Sequence, residues 1–162
     1  MIGRYDIGCE PASVDEAIVL EGMAGTFLVF FAVSPIGVDL GVAVLECVDC
    51  SATRLGYPND EGLPEHDRWN DGLGSLDYPI AEVSDSDWVL HLSKQVIVSR
   101  NRIWRDRSEV AFAKPSRPLR HFIVLLKEQT FECVAREMKV LGFHSSFSSA
   151  CSVALSRLGA AE

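Results

Sequence analysis

The chain has 162 residues, of which 48% are apolar and 23% charged, with a formal net charge of -8. This composition lies far from the sparse, highly charged chains that stay unfolded, and the length suits one domain, residues 1–162, that buries roughly two thirds of its unfolded surface. The negative balance argues against a general polyanion binder, whether the partner is nucleic acid or an anionic lipid surface.

Asp6, Glu10, Asp15 and Glu16 interrupt the N-terminal stretch, so no basic-then-apolar leader is visible. The longest apolar run, Phe27 to Val33, is too short for a helix across about 30 Å of hydrocarbon. A cytoplasmic location without membrane attachment is therefore expected. Five cysteines at irregular spacing (Cys9, Cys47, Cys50, Cys133 and Cys151) do not form a secreted disulfide framework and read as reduced and mostly buried.

Three β-rich stretches open the chain: Ala17 to Gly22, Thr26 to Ser34 and Leu40 to Cys50, separated by glycine and proline turns. Ser13 and Glu16 also make a capping-box pattern that would favour a helix from Val14 to Glu21; strand is preferred because Ile18, Val19 and Leu20 lead into a glycine turn. Phe27 to Val33 is apolar at both parities and predicts a central strand covered on both sides.

From Ser51 to Ile80 the periodicity stops, and glycine, proline, asparagine and aspartate accumulate. A long irregular segment inside a compact domain is a first place to seek a site. Ser84-Asp85-Ser86-Asp87 then caps an amphipathic helix expected over about 86–99. After an irregular connection from Asn101 to Arg117, His121 to Leu126 and Phe131 to Leu141 read as a β-hairpin turning at Glu128 and Gln129. A short helix beginning after Ser145 or Ser146, with Phe147, Cys151, Ala154, Leu155 and Leu158 on one face, closes the chain. The fold class expected is α+β: a mainly antiparallel sheet of about five or six strands with two packed helices.

The charges are segregated. Tyr57 to Asp87 carries nine acids and the single base Arg68, whereas Lys94 to Arg120 carries eight bases and two acids. Such complements can meet within one chain or between subunits, and they steer association more than they stabilise it.

Cys47-x-x-Cys50 lacks the second pair that a zinc site needs, and positions three apart on a strand face opposite ways, so these read as core cysteines. Asp60, Glu61, Glu65, His66 and Asp67 have the residue types for acid–base work or metal binding, but match no specific metal motif; Asn59 and Asp60 also suit turn caps. His121 could face Glu132 on the paired strand as a charged pair flanking the hairpin. Nucleotide-binding glycine loops and the GxSxG elbow are absent. Trp104 and Phe112 among arginines resemble a single-stranded nucleic-acid surface, which the acidic total counters.

Arg54 to His66, reading RLGYPNDEGLPEH, together with Arg120-His121-Phe122 and Thr130 to Ala135, resembles a group of small uncharacterised bacterial proteins. That group carries a YPNDE-like loop ending in histidine, a tryptophan further on and a TFEC-like strand, and often comes from mobile gene cassettes. The likeness covers about residues 45–140 and implies that loop and hairpin share one domain, with Trp88 near them. Lys127-Glu128-Gln129 stands where such proteins usually have His-Asp-Ser, so no polar role carries over to that turn.

The function expected is a small-molecule or protein binding module acting as a homo-oligomer, without a cofactor or bound metal. The candidate binding residues are Tyr57, Asn59, Asp60, Glu61, His66, Trp88 and His121. The alternatives are a hydrolase or lyase with His66 as base and Asp60 or Glu61 as orienter or metal ligand, and a nucleic-acid accessory protein.

Overall fold

The computed structural model describes residues 1–14, 16–76, 79–103 and 118–159, with side chains left aside over 96–103. Of the connection expected to be irregular from Asn101, residues 101–103 are helical, and the rest, with Trp104, Phe112 and half the bases of the basic segment, lies outside the described residues.

Among the described residues ten strands and two α-helices follow one another: β1 (Ile2–Arg4), β2 (Glu10–Pro11), β3 (Ala17–Gly22), β4 (Gly25–Val33), β5 (Asp39–Val48), β6 (Ala52–Gly56), β7 (Ile80–Val83), α1 (Asp87–Ile103), β8 (Arg120–Leu125), β9 (Thr130–Ala135), β10 (Glu137–His144) and α2 (Phe147–Gly159). The α+β class is as expected, but the single sheet is replaced by two antiparallel sheets of five strands each. The first has the order β1-β7-β8-β9-β6; the second runs β10-β5-β4, with β2 and β3 both paired to the free edge of β4.

The split occurs at Arg136. The run expected as one hairpin arm, Phe131 to Leu141, is two strands: β9 pairs with β8 in the first sheet, and β10 pairs with β5 in the second. Its apolar residues serve both sheets, which is why the pattern alone did not reveal the crossing.

Inner faces of both sheets interdigitate in one core that includes Leu28, Phe30, Leu45 and Met138 from the second sheet, and Ile80, Phe122, Val124 and Phe131 from the first. Side chains alternate across a strand, so the opposite parity of β4 and β5, Phe27, Val29, Val42 and Val44, faces outward. There α2 covers it with Ala150 and Ala154, and the Phe31 and Phe147 rings meet edge-on at 4.8 Å. The strand from Phe27 to Val33 is thus covered on both sides as its composition requires. Ser146 caps α2, its hydroxyl accepting the Ser149 N–H at 3.2 Å. At 14–21 the strand prevails over the helix: β3 zips onto β4 from Ala17 opposite Phe30 to Gly22 opposite Gly25.

The outer face of the first sheet is covered differently. Ala81, Val83 and Ile123 are covered by Leu73, with Leu63 and Leu76 alongside, all from the segment after β6. That segment is therefore a structured cover with two single-turn 3-10 helices, Leu63–Glu65 and Leu73–Ser75. Two close approaches fold it: a Cβ on Gly74 would lie 2.5 Å from the Trp69 ring, and one on Gly62 would strike the Tyr57 hydroxyl. Its backbone is tied to the β8–β9 turn by Asp60 N–H to Lys127 O, 2.9 Å, and by the Thr130 hydroxyl to Pro58 O, 2.8 Å. No described helix is long and apolar enough to cross a membrane.

Candidate functional site

A row of polar side chains lies on the outer face of the first sheet, beside its apolar cover. β8 alternates so that Phe122 and Val124 enter the core while His121 and Ile123 face outward; on β9, Phe131 and Cys133 enter and Glu132 faces outward. His121 stands opposite Val134 and Ile123 opposite Glu132, so histidine and glutamate are diagonal neighbours on one face. Their side chains meet at 3.0 Å, His121 Nε2 to Glu132 Oε2. The pair is buried within the sheet face, at 3% and 6% exposure, instead of flanking the hairpin as expected.

Ser86 completes the row from the other side. After β7 the chain passes through Asp85 in a left-handed conformation, φ 57°, which aspartate tolerates, and enters α1 at Asp87. Ser86 is the capping residue: its carbonyl accepts Leu90 N–H at 3.0 Å, and its hydroxyl faces Val89 N–H at 3.4 Å and His121 Nδ1 at 2.9 Å. A carboxylate can only accept, so His121 carries its proton on Nε2, leaving Nδ1 to accept from the Ser86 hydroxyl. The result is a directed chain, Ser86 O–H to His121 to Glu132. Trp88, the second residue of α1, meets the imidazole edge-on at 5.2 Å between ring centres.

Two further groups face Glu132. Arg54 on β6 brings a guanidinium nitrogen to 3.4 Å from Oε1, with its stem exposed. His66, at the end of the first 3-10 turn, accepts Arg68 N–H on Nδ1 at 3.0 Å, which places its proton on Nε2. Among the described residues that buried N–H has no hydrogen-bond partner; Glu132 Oε1 lies 3.8 Å away. Burial alone would raise the Glu132 carboxyl, but the hydrogen bond from His121 and the electrostatic pull of His121, His66 and Arg54 outweigh it and hold the group below its ordinary value. Burial lowers His66, and Glu132 only partly offsets this.

Beside the serine is a cleft of about 620 Å³, lined by Ser84, Ser86, Asp87, Val89, Leu90, Ser93 and Leu119 among others. Arg120 at its margin is held by Glu82 through both guanidinium donors, with Nε to Oε1 at 2.7 Å. This pair joins one member of the acidic segment to one of the basic segment inside the chain.

The structure thus brings His66, Trp88 and His121 together and leaves the other nominated residues apart. Tyr57 is 59% exposed and donates its hydroxyl to Glu65 at 2.8 Å. Asn59 accepts Gly62 N–H, and Asp60 accepts Glu61 N–H, so both act as turn caps. With Thr130 and Lys127 they line a separate cleft of about 320 Å³. Glu61 is exposed. Neither Asp60 nor Glu61 is among the groups that act on His66, which are Glu132, Arg54, Asp67 and His121. Ser86, read from sequence only as part of a cap, and Arg54 were missed as site residues. Among the described residues no three His, Cys, Asp or Glu side chains are placed to hold a metal ion.

Comparison with known proteins adds no relative: no family model matches the chain, and neither a curated protein nor a solved structure does.

Proposed function

We propose that the protein binds a small molecule in the cleft at the start of α1 and hydrolyses an ester-like bond in it, with Ser86 as nucleophile. The observation that carries this reading is the buried hydrogen-bonded chain from Ser86 through His121 to Glu132. His121 Nδ1 takes the hydroxyl proton as Ser86 attacks, and Glu132 stabilises the imidazolium that forms. The N–H groups at the N-terminus of a helix lack partners within it, and those that open α1 would receive the developing oxyanion. Val89, Leu90 and Leu119 favour a substrate with an apolar acyl part. Arg54 keeps Glu132 ionised, and Trp88 fixes the ring.

A second reading is favoured by the helix cap: Ser86 satisfies Val89 N–H, so the row would tie α1 to the sheet while the clefts bind a ligand without turnover. Here the protein is a cytoplasmic binding module, self-associating through its segregated charges. The nucleic-acid alternative rests on residues outside those described and gains no support from this site.

One experiment separates the readings. The purified chain is treated with a fluorophosphonate and assayed with nitrophenyl esters of short acids, and native mass spectrometry counts subunits and bound molecules. Catalysis predicts labelling at Ser86 and a rate loss of about 10³-fold or more in Ser86→Ala. Absence of both label and turnover, with Ser86→Ala costing about 1 kcal/mol of stability as a lost cap, would leave the binding module.

A further inference from the structure

Three thiols that take no part in the Ser86 row meet at one end of the sheets. Cys47 lies near the end of β5, 1% exposed, and Cys133 on β9 is fully buried; both belong to the core between the sheets. On a continuous strand Cys50 would face away from Cys47. Instead the chain turns through Asp49, φ 49°, and Ser51 N–H bonds to Val134 O, which starts the pairing of β6 with β9. This turn brings Cys50 back against the core cluster that holds Cys47 and Cys133, where the three thiols bear on one another's acidity. Cys50 Sγ also lies 3.4 Å from Ala52 O. Of the three, Cys50 is half-buried and reachable, whereas its two neighbours are dry.

We propose that Cys50 is a hydroperoxide-reactive thiol, and that Cys133 resolves its oxidised form into an intramolecular disulfide. In the first step the Cys50 thiolate attacks the terminal peroxide oxygen. An S–O bond forms, the O–O bond breaks, and the departing alkoxide takes a proton from solvent and leaves as an alcohol, or as water from hydrogen peroxide. In the second step Cys133 sulfur attacks the Cys50 sulfenic acid. The S–S bond forms, the S–O bond breaks, and the released hydroxide leaves as water with the Cys133 proton. The two thiols together lose two electrons, and the peroxide gains two.

The microenvironment suits these roles. The Cys133 hydrogen bond, assisted by Thr26 and the Ala52 carbonyl, outweighs burial and brings Cys50 down to about 7. A substantial share is therefore thiolate near neutral pH. Cys133 is pushed upward by its bonds with Cys47 and Cys50 and then by burial, so it keeps its proton until the sulfenic acid forms. Cys9, fully buried in the same core, is raised to about 11 chiefly by desolvation and is poorly reactive by the same logic.

The test uses the reduced full chain and stoichiometric hydrogen peroxide, quenched in acid, alkylated and mapped by peptide mass spectrometry. The proposal expects a Cys50–Cys133 disulfide, none in Cys50→Ser, and a dimedone adduct on Cys50 in Cys133→Ser. Because Cys133→Ser alters the core, the unmodified chain carries an independent measurement: Cys50 should be consumed about tenfold or more faster than half-buried Cys151 on α2, as its thiolate character requires. Equal rates for Cys50 and Cys151 would overturn the reactive thiol, and a Cys47–Cys50 disulfide would overturn Cys133 as the resolving partner. Neither result bears on Ser86.

Discussion

The two outer faces of the sandwich solve the same burial problem with different materials. On the second sheet, Phe27, Val29, Val42 and Val44 meet the small residues Ala150 and Ala154, which let α2 approach closely. On the first sheet, Ala81, Val83 and Ile123 are covered by Leu73 of an irregular segment, and the same face carries Ser86, His121, Glu132 and His66 at 3–7% exposure. An apolar face needs only volume and shape from its cover. A polar face needs partners for each group, because an unpaired buried polar atom costs about 1–3 kcal/mol. A turn-rich segment supplies backbone N–H groups at chosen points, as Arg68 N–H does for His66, which the interior of a helix cannot. The difference separates an apolar face built on packing from one that holds a buried hydrogen-bonded row.

Substitutions on each face should expose this difference. Phe27→Ala removes a ring 1% exposed and should cost about 3–5 kcal/mol by urea denaturation, with little change between pH 5 and 8. Glu132→Gln keeps the shape but removes the charge that His121 and Arg54 address, and should cost about 2–3 kcal/mol at neutral pH. Its cost should depend on pH. Glu132 is lowered in the folded protein, so its contribution is complete above the unfolded carboxyl value of about 4.3 and is lost as pH falls through the folded value. Denaturation curves of the two chains should therefore converge below that pH; parallel curves down to the acid limit would mean that Glu132 acts by packing alone.

The contrast also explains what the residues revealed before the fold was known. The apolar face was legible, because Phe27 to Val33 and the spacing of Phe147, Ala154 and Leu158 are local patterns that one strand and one helix express. The Ser86 cap was legible for the same reason. Its role in the row was not: Ser86 and His121 lie 35 residues apart, and only the order β7-β8-β9 brings them together. β6, reading Ala-Thr-Arg-Leu-Gly, is short and mixed in polarity, and its exposed Arg54 gives no sign that it reaches a buried carboxylate on β9. His66 was found as a histidine in a loop, yet its supposed partners Asp60 and Glu61 turn outward, since sequence proximity does not fix direction across a 3-10 turn. The cysteine spacing misled because strand geometry was carried past Val48, where Asp49 turns the chain.

The smallest expected effect lies with His66, and its sign follows from its burial. The folded protein favours the neutral imidazole, because desolvation lowers His66 more than Glu132 raises it. Between the unfolded histidine value of about 6.5 and the lower folded value, the unfolded chain binds the extra proton, so acidification through this window favours unfolding. His66→Asn retains an acceptor near the Nδ1 position for Arg68 N–H and removes the titration. Its stability should match the unmodified chain to within about 1 kcal/mol at pH 7.5 and decline less steeply between pH 6.5 and 5. An unchanged slope would mean that the buried imidazole accepts its proton in place, with Glu132 as counter-charge at 3.8 Å. That outcome would make His66 a second proton carrier beside His121 and extend the acid–base array across the whole polar face.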